Sequence, residues 1–198
     1  DFVLRYQGPE GEIDWAVDGA GAPLGDALVT GCSSIYKSLE CGIVIADQLG
    51  QKKDHWERAR SQLGDALRHK PARFDRTWES KSRYAMDWFY PILTGVVDGA
   101  AARQRLSSRW SEFVEPGIGC RCENHQPWAT VAESCELTLA LLSVGDETRA
   151  RTLFDGLWLW RDAEASWLIA FNNFESVCAL SITPSTSVSD TFSKIMDR

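Results

Sequence analysis

RYAMDWFYP, from Arg83 to Pro91, packs a cation, a carboxylate, a run of aromatics and a proline into a stretch where a loop gives way to an apolar helix. A second stretch, HQPWATVAESCEL from His125 to Leu137, makes the same change from polar loop to apolar helix. Each apolar segment is followed at once by a more polar one. The spacing predicts a helical hairpin recurring every ~45–50 residues, the length of a two-helix repeat.

Working outward, apolar residues recur from Leu28 to Leu49 at Leu28, Cys32, Ile35, Leu39, Gly42 and Ala46, with Val29, Tyr36, Ile43 and Val44 widening the stripe. So broad a band predicts a helix covered on more than one side. Asp54–His69 carries only a narrow stripe, Trp56, Ala59, Leu63, Ala66 and Leu67, and reads as an outer helix with one face inward. Lys70-Pro71 ends it, and a loop holding Asp75, Arg76, Trp78, Glu79 and Arg83 follows. The cycle repeats with Trp88–Val97 inside, where Pro91 is expected in the first turn. Arg103–Val114 lies outside, with Leu106, Trp110, Phe113 and Val114 inward and Arg103, Arg105, Arg109 and Glu112 outward. The loop EPGIGCRCENHQP leads to a third inner helix, Trp128–Val144, then Gly145-Asp146 and an outer helix presenting Ala150, Leu153, Phe154 and Leu157. After RDAEASW, Phe174–Ile182 begins another inner helix. Short links within each hairpin and returns of roughly 10–16 residues between hairpins put every long loop at one end. The expected architecture is all-α, an incomplete α/α toroid over residues 1–182, with an irregular Ser- and Thr-rich tail at 183–198.

The bulk numbers narrow the function classes. A net charge of -7 over 198 residues argues against a nucleic-acid surface. No run approaches the ~18–20 apolar residues of a transmembrane helix. The opening DFVLRYQ has neither a methionine nor a signal-peptide layout, and reads as the last turns of a helix whose beginning is missing. Cys32, Cys41, Cys135 and Cys178 sit in apolar helical surroundings, as free thiols do. A cytoplasmic protein, present as a fragment of a longer toroid, is the expectation.

The segments LVTGCSSIY (Leu28–Tyr36), RYAMDWFYPILTG and GCRCENHQPWATVAESCEL resemble a group of bacterial α/α-toroid proteins labelled prenyltransferase or squalene-cyclase-repeat, which are similar in shape to six-hairpin glycosidases. FVLRYQGPEGEIDW resembles the glutamine–tryptophan motif of terpene cyclases through Gln7, Gly11 and Trp15, although its tryptophan follows the glycine by four residues instead of two. The resemblance implies a toroid with an oligosaccharide or isoprenoid ligand, the remainder of the ring lying outside this chain.

The long-loop end collects Trp15, Trp78, Trp88, Tyr90, Trp128 and Trp167. Such rings stack on sugars or enclose a carbocation; equally, they could plug the toroid as core. The carboxylates there are Glu12, Asp14, Asp87, Glu133 and Glu136. Glu133 and Glu136 share a helix face, and charges on an inner helix need a partner or a wet cavity. Arg83 and Arg121 stand in adjacent loops. A glycosidase requires two carboxylates about 5–9.5 Å apart, one protonated. Asp87 and Glu133, from equivalent junctions, are the expected pair, with structural ion pairs to arginine as the competing reading. Trp15, Arg83, Trp88, Tyr90, Arg121, Trp128, Glu136 and Trp167 are the expected substrate contacts. Cys120-x-Cys122-x-x-His125 invites a zinc reading, but its C-x-C spacing is unusual for zinc. No metal or cofactor is expected. No Gly-rich phosphate loop or DDxxD cluster is present, which weakens diphosphate chemistry. The leading expectation is a carbohydrate-active toroid, ahead of a prenyltransferase or terpene cyclase and of a non-catalytic helical-repeat scaffold.

Overall fold

A computed structural model describes residues 1–158 and the backbone of 170–171. Trp167, the expected helix at Phe174–Ile182 and the tail from Thr183 lie outside the described residues. The chain divides into two compact units, Asp1–Arg109 and Trp110–Arg198.

The first unit holds helices α1 (Val29–Gln48), α2 (Asp54–His69), α3 (Ala85–Leu93) and α4 (Gly99–Ser108). Short 3-10 turns stand at Val3–Tyr6, Pro71–Arg73 and Lys81–Arg83. Helix α1 packs on α2 and on α3, and α3 packs on α4. α2 has the expected bounds because its ends are locally encoded. Asp54 and Glu57 occupy the first turn and Arg68 and His69 the last, each set complementing the helix dipole. Its stripe Ala59, Leu63 and Ala66 meets Cys32, Tyr36 and Leu39 of α1 in the core, together with Ile13, Ala27, Phe74 and Val96. α3 is more buried than α4, as expected of an inner helix. α1 and α2 have the same share of buried positions, and α1 has more that are partly buried. Val44 and Ile45 are 51% and 56% exposed, so its band is covered on one side among the described residues.

Two corrections concern α3. It begins at Ala85, which places Asp87 inside its first turn, and Pro91 falls in the second turn instead of the first. A proline there lacks the N–H that would bond the carbonyl four residues back, a loss of about 3 kcal/mol in a helix interior. That carbonyl belongs to Asp87, and Arg105 of α4 supplies the missing donor: its Nη2 donates to Asp87 O at 2.9 Å and its Nε to Trp88 O at 2.7 Å. Arg105, expected to face outward, is turned inward by this duty.

The opening loop is tied down, not free. Gln7 Nε2 donates to Gly11 O (3.0 Å) and to Ala59 O of α2 (2.9 Å). Gly11 has φ 100°, and a Cβ there would stand 2.4 Å from Gln62 O, so only glycine fits. The glutamine of the cyclase-like motif thus has a fastening role.

The second unit contains α5 (Trp110–Phe113), α6 (Val131–Ser143) and α7 (Glu147–Leu157), with α6 packed on α7 and more buried than it. It also contains strands β1 (Val114–Glu115), β2 (Gly119–Arg121), β3 (Trp128–Thr130) and β4 (Ala170–Phe171), antiparallel in the order β1-β2-β3-β4. The molecule is mostly helical, but this small sheet corrects the all-α reading. Most of the expected loop at 115–127 is the hairpin β1–β2 and its exit. Trp128 is a strand residue, not a helix start. Strands of two or three residues carry too few side chains to show a period. Gly119, at φ 144°, passes so close to α6 that a Cβ would meet Ser134 Oγ at 2.6 Å. That hydroxyl accepts from Cys120 N (2.8 Å) and donates to Thr130 O (2.6 Å), pinning sheet to helix.

Candidate active site

In the first unit the described chemistry gathers around the segment entering α3. Asp26, fully buried, accepts from Ala27 N (2.7 Å), from Arg76 N and Thr77 N (both 2.8 Å) and from Thr77 Oγ1 (2.8 Å). Burial pushes this carboxyl up, but the donors outweigh burial and leave it below its ordinary value. The segment 75–77 is held rigidly as a result. Glu12, 1% exposed, accepts from Arg73 Nε (2.8 Å) and Arg76 Nη1 (2.7 Å). Burial raises its carboxyl, the two guanidinium groups overcome that, and it too lies below its ordinary range. Here the ion-pair reading of the acidic residues holds.

Asp75, which Asp26 braces, is the one described non-glycine residue with positive φ (55°). Its N–H donates to Ala27 O (3.1 Å), its Oδ2 accepts from Lys81 N (2.7 Å), and its Oδ1 is buried without a hydrogen-bond partner. A strained, over-determined residue of this kind is a common companion of function. Sequence reading placed Asp75 in the loop without singling it out; an aspartate tolerates the left-handed region, so nothing in the local pattern flags it.

Asp87 is 9% exposed and its Oδ1 is likewise buried without a partner. Burial above all, and the Asp75 charge after it, raise its carboxyl from 3.8 to about 6, against the pull of Arg105 and Arg109. Trp88, beside it, is 1% exposed and donates Nε1–H to Arg105 O at 2.7 Å; it packs as core. Tyr90 is half-buried, its ring 5.6 Å from Phe89. Arg83 donates to Glu79 Oε2 (2.7 Å) and to Tyr84 Oη (3.0 Å).

Trp15 is 45% exposed and meets Trp78, 54% exposed, edge to face at 5.7 Å. Beside Trp15, Asp14 accepts from Gly25 N at 2.9 Å. Two exposed indoles in contact form an apolar platform bordered by polar groups. A groove of about 610 Å³ in the same unit is lined by α1 residues with Leu93 and Thr94, and none of the expected site residues lines it.

In the second unit Glu133 occupies the first turn of α6, 9% exposed, its N–H capped by Thr130 Oγ1 at 3.2 Å. Burial raises its carboxyl, while a hydrogen bond with the Cys122 thiol counters in part. Burial and the Glu133 charge push that thiol up to about 12. Glu136 is half-buried on the same helix. Arg121 pairs with Glu115 across β1–β2, not with Glu133. Trp128 is half-buried in β3. His125 of the weighed zinc motif is exposed, 3.1 Å from Glu123.

Buried carboxyls raised above their ordinary range and a pair of exposed indoles in contact are features that carbohydrate chemistry uses. No protein-family model matches the chain. It is 44% identical over 167 residues to the MMP endo-(1,4)-3-O-methyl-alpha-D-mannosidase of Mycolicibacterium hassiacum, an alignment spanning 84% of this chain. The same alignment spans 45% of the relative, so the chain represents less than half of that protein's length. The likeness supports a carbohydrate-active function. The glycosidase side of the expectation has a counterpart in this relative; the prenyltransferase side has none.

Proposed function

We propose that this chain is part of a glycoside hydrolase cutting internal α-(1,4) bonds between 3-O-methylated mannose units. The carrying observation is the 44% identity over most of the chain to a mannosidase of that description. Asp87 is the proton donor of this reading. A general acid works best with a value near the operating pH, and this carboxyl is raised to about 6. In the first unit Arg83 and Tyr90 are proposed substrate contacts, and the Trp15–Trp78 platform takes an apolar sugar face, which a methyl ether enlarges. In the second, Glu133 is a further buried acidic group and Arg121, Trp128 and Glu136 are proposed substrate contacts. The ring of helical hairpins remains the proposed frame, with the other hairpins in the rest of the protein. The five described cysteines are free, which supports a reducing, cytoplasmic setting.

The test is incubation of the protein with α-(1,4)-linked 3-O-methylmannose oligosaccharides, reading new reducing ends, beside a prenyl-diphosphate binding assay. Cleavage that falls in Trp78→Ala through a raised KM supports the reading. Prenyl-diphosphate binding without cleavage would overturn it.

A further inference from the structure

Hydrolysis of a glycoside needs one carboxyl that gives a proton and one carboxylate that stays ionised, and environment must push the two apart. Asp87 and Glu133 are both pushed up, in the same direction, and for both the foremost cause is burial. Both carboxyls are shifted toward the acid role and neither toward that of a base. The reaction proposed above therefore lacks a component that the sequence pairing did not provide.

Resting on that functional reading, we propose that Asp75 is the missing base, the carboxylate that activates water while Asp87 protonates the glycosidic oxygen. A path of hydrogen bonds, from the Asp75 carboxyl through the backbone of Lys81 and Tyr84, joins the two residues. Lys81 N donates to Asp75 Oδ2 (2.7 Å), Tyr84 N to Lys81 O (2.9 Å) and Asp87 N to Tyr84 O (3.2 Å). The turn Lys81–Arg83 packs on α3, so this path is a short fold of chain and not a long excursion. Each carboxyl keeps one oxygen, Oδ1, buried with no protein donor upon it. On Asp87 the whole residue is more than nine-tenths buried. Unpartnered buried oxygens are costly. Glu12 has one too, but two guanidinium groups neutralise that carboxylate, whereas Asp75 and Asp87 each leave an oxygen that a ligand or a water could use. Asp75 is additionally held at φ 55° by its bond to Ala27 O and by the three donors of Arg76 and Thr77 that fix its neighbours on Asp26. The charges that bear on Asp87 are those of Asp75, Arg105 and Arg109, and only the first favours its protonated form.

In the step itself, Asp75 takes a proton from water as the water oxygen bonds to the anomeric carbon. The bond from that carbon to the glycosidic oxygen breaks, and the departing oxygen takes the Asp87 proton. The products are a reducing-end sugar and a free hydroxyl; Asp75 is left protonated and Asp87 ionised, and one proton passing through solvent restores both. A single displacement of this kind inverts the anomeric configuration.

Asparagine adopts positive φ readily, so Asp75→Asn alters the charge without straining the turn. It is expected to lower kcat/KM on the oligosaccharide by about 10²–10⁴-fold, the usual contribution of acid–base catalysis. Asp87→Asn is expected to spare an aryl mannoside whose leaving group needs no proton, while Asp75→Asn loses that substrate too. Azide added to Asp75→Ala should restore turnover and give the inverted β-mannosyl azide. Carboxyl-carbon NMR should show Asp87 titrating lower in Asp75→Asn than in the wild type. Wild-type-like kcat/KM in Asp75→Asn, a retained α-azide product, or an unmoved Asp87 titration would each overturn the base role alone. A wild-type protein that cleaves no mannoside overturns the functional reading as well.

Discussion

Replacing Asp87 with asparagine should stabilise the protein at neutral pH while abolishing cleavage of the oligosaccharide, whose leaving group needs a proton. The folded-state value of about 6 lies above the ordinary 3.8, so the folded protein binds this proton more tightly than the unfolded chain does. Below the lower value both states are protonated and the group is neutral in the balance. Between the two, stability falls as pH rises, and above about 6 the loss is complete. Its size is (6 − 3.8) × 1.36, or about 3 kcal/mol. Asparagine keeps the shape and removes the charge, but Arg105 and Arg109 then lose an attraction, which leaves a net gain of ~1–3 kcal/mol. For a chain of 198 residues that corresponds to an increase in Tm of roughly 2–12 °C at pH 8. The gap should close by pH 4. Thermal melts of both proteins from pH 4 to pH 8 measure it directly. A gap that does not change with pH, or a variant less stable than wild type at pH 8, would refute the reasoning. Stability gained at the expense of activity is the mark of a residue held for function.

The proline repair predicts that Arg105→Lys lowers stability by about 1–3 kcal/mol, since an ammonium cannot reproduce the two-pronged donation to the Asp87 and Trp88 carbonyls. The loss should shrink when Pro91→Ala restores the helical N–H; additive losses in that double-mutant cycle argue against the repair. Glu12 titrates below its ordinary value, so its contribution is present at neutral pH and disappears as pH falls through the acid range. Glu12→Ala should therefore destabilise by about 3–5 kcal/mol at pH 7 and by much less near pH 3, as read by denaturant melts at the two values. Glu133 is shifted the other way by burial, and Glu133→Gln should melt no lower than wild type at pH 8; a clear drop there would make it a structural acid.

What the sequence by itself determined is what short-range chemistry encodes. The helix Asp54–His69 was legible end to end because its stripe recurs every turn and its charges match the dipole. The pairing of α6 with α7 across Gly145-Asp146 was legible for the same reason, Asp146 Oδ1 accepting from Arg149 N as an N-cap should. Asp87 and Glu133 could be singled out because a carboxylate on an apolar helix is anomalous wherever the chain goes. Their partners could not. Arg105 reads as an outward charge because helical periodicity carries no sign that a proline in a neighbouring helix has left a carbonyl vacant. Glu12 meets Arg73 and Arg76 across some 60 residues of sequence. Asp75 bears on Asp87 electrostatically from a loop fastened to Asp26, some 50 residues earlier in the chain. Strands β1 to β3 exist only as pairs, each too short to form alone. Local periodicity records which face of a segment turns inward. Which charge, carbonyl or strand waits on the other side is decided by chain closure, and closure has no local signature.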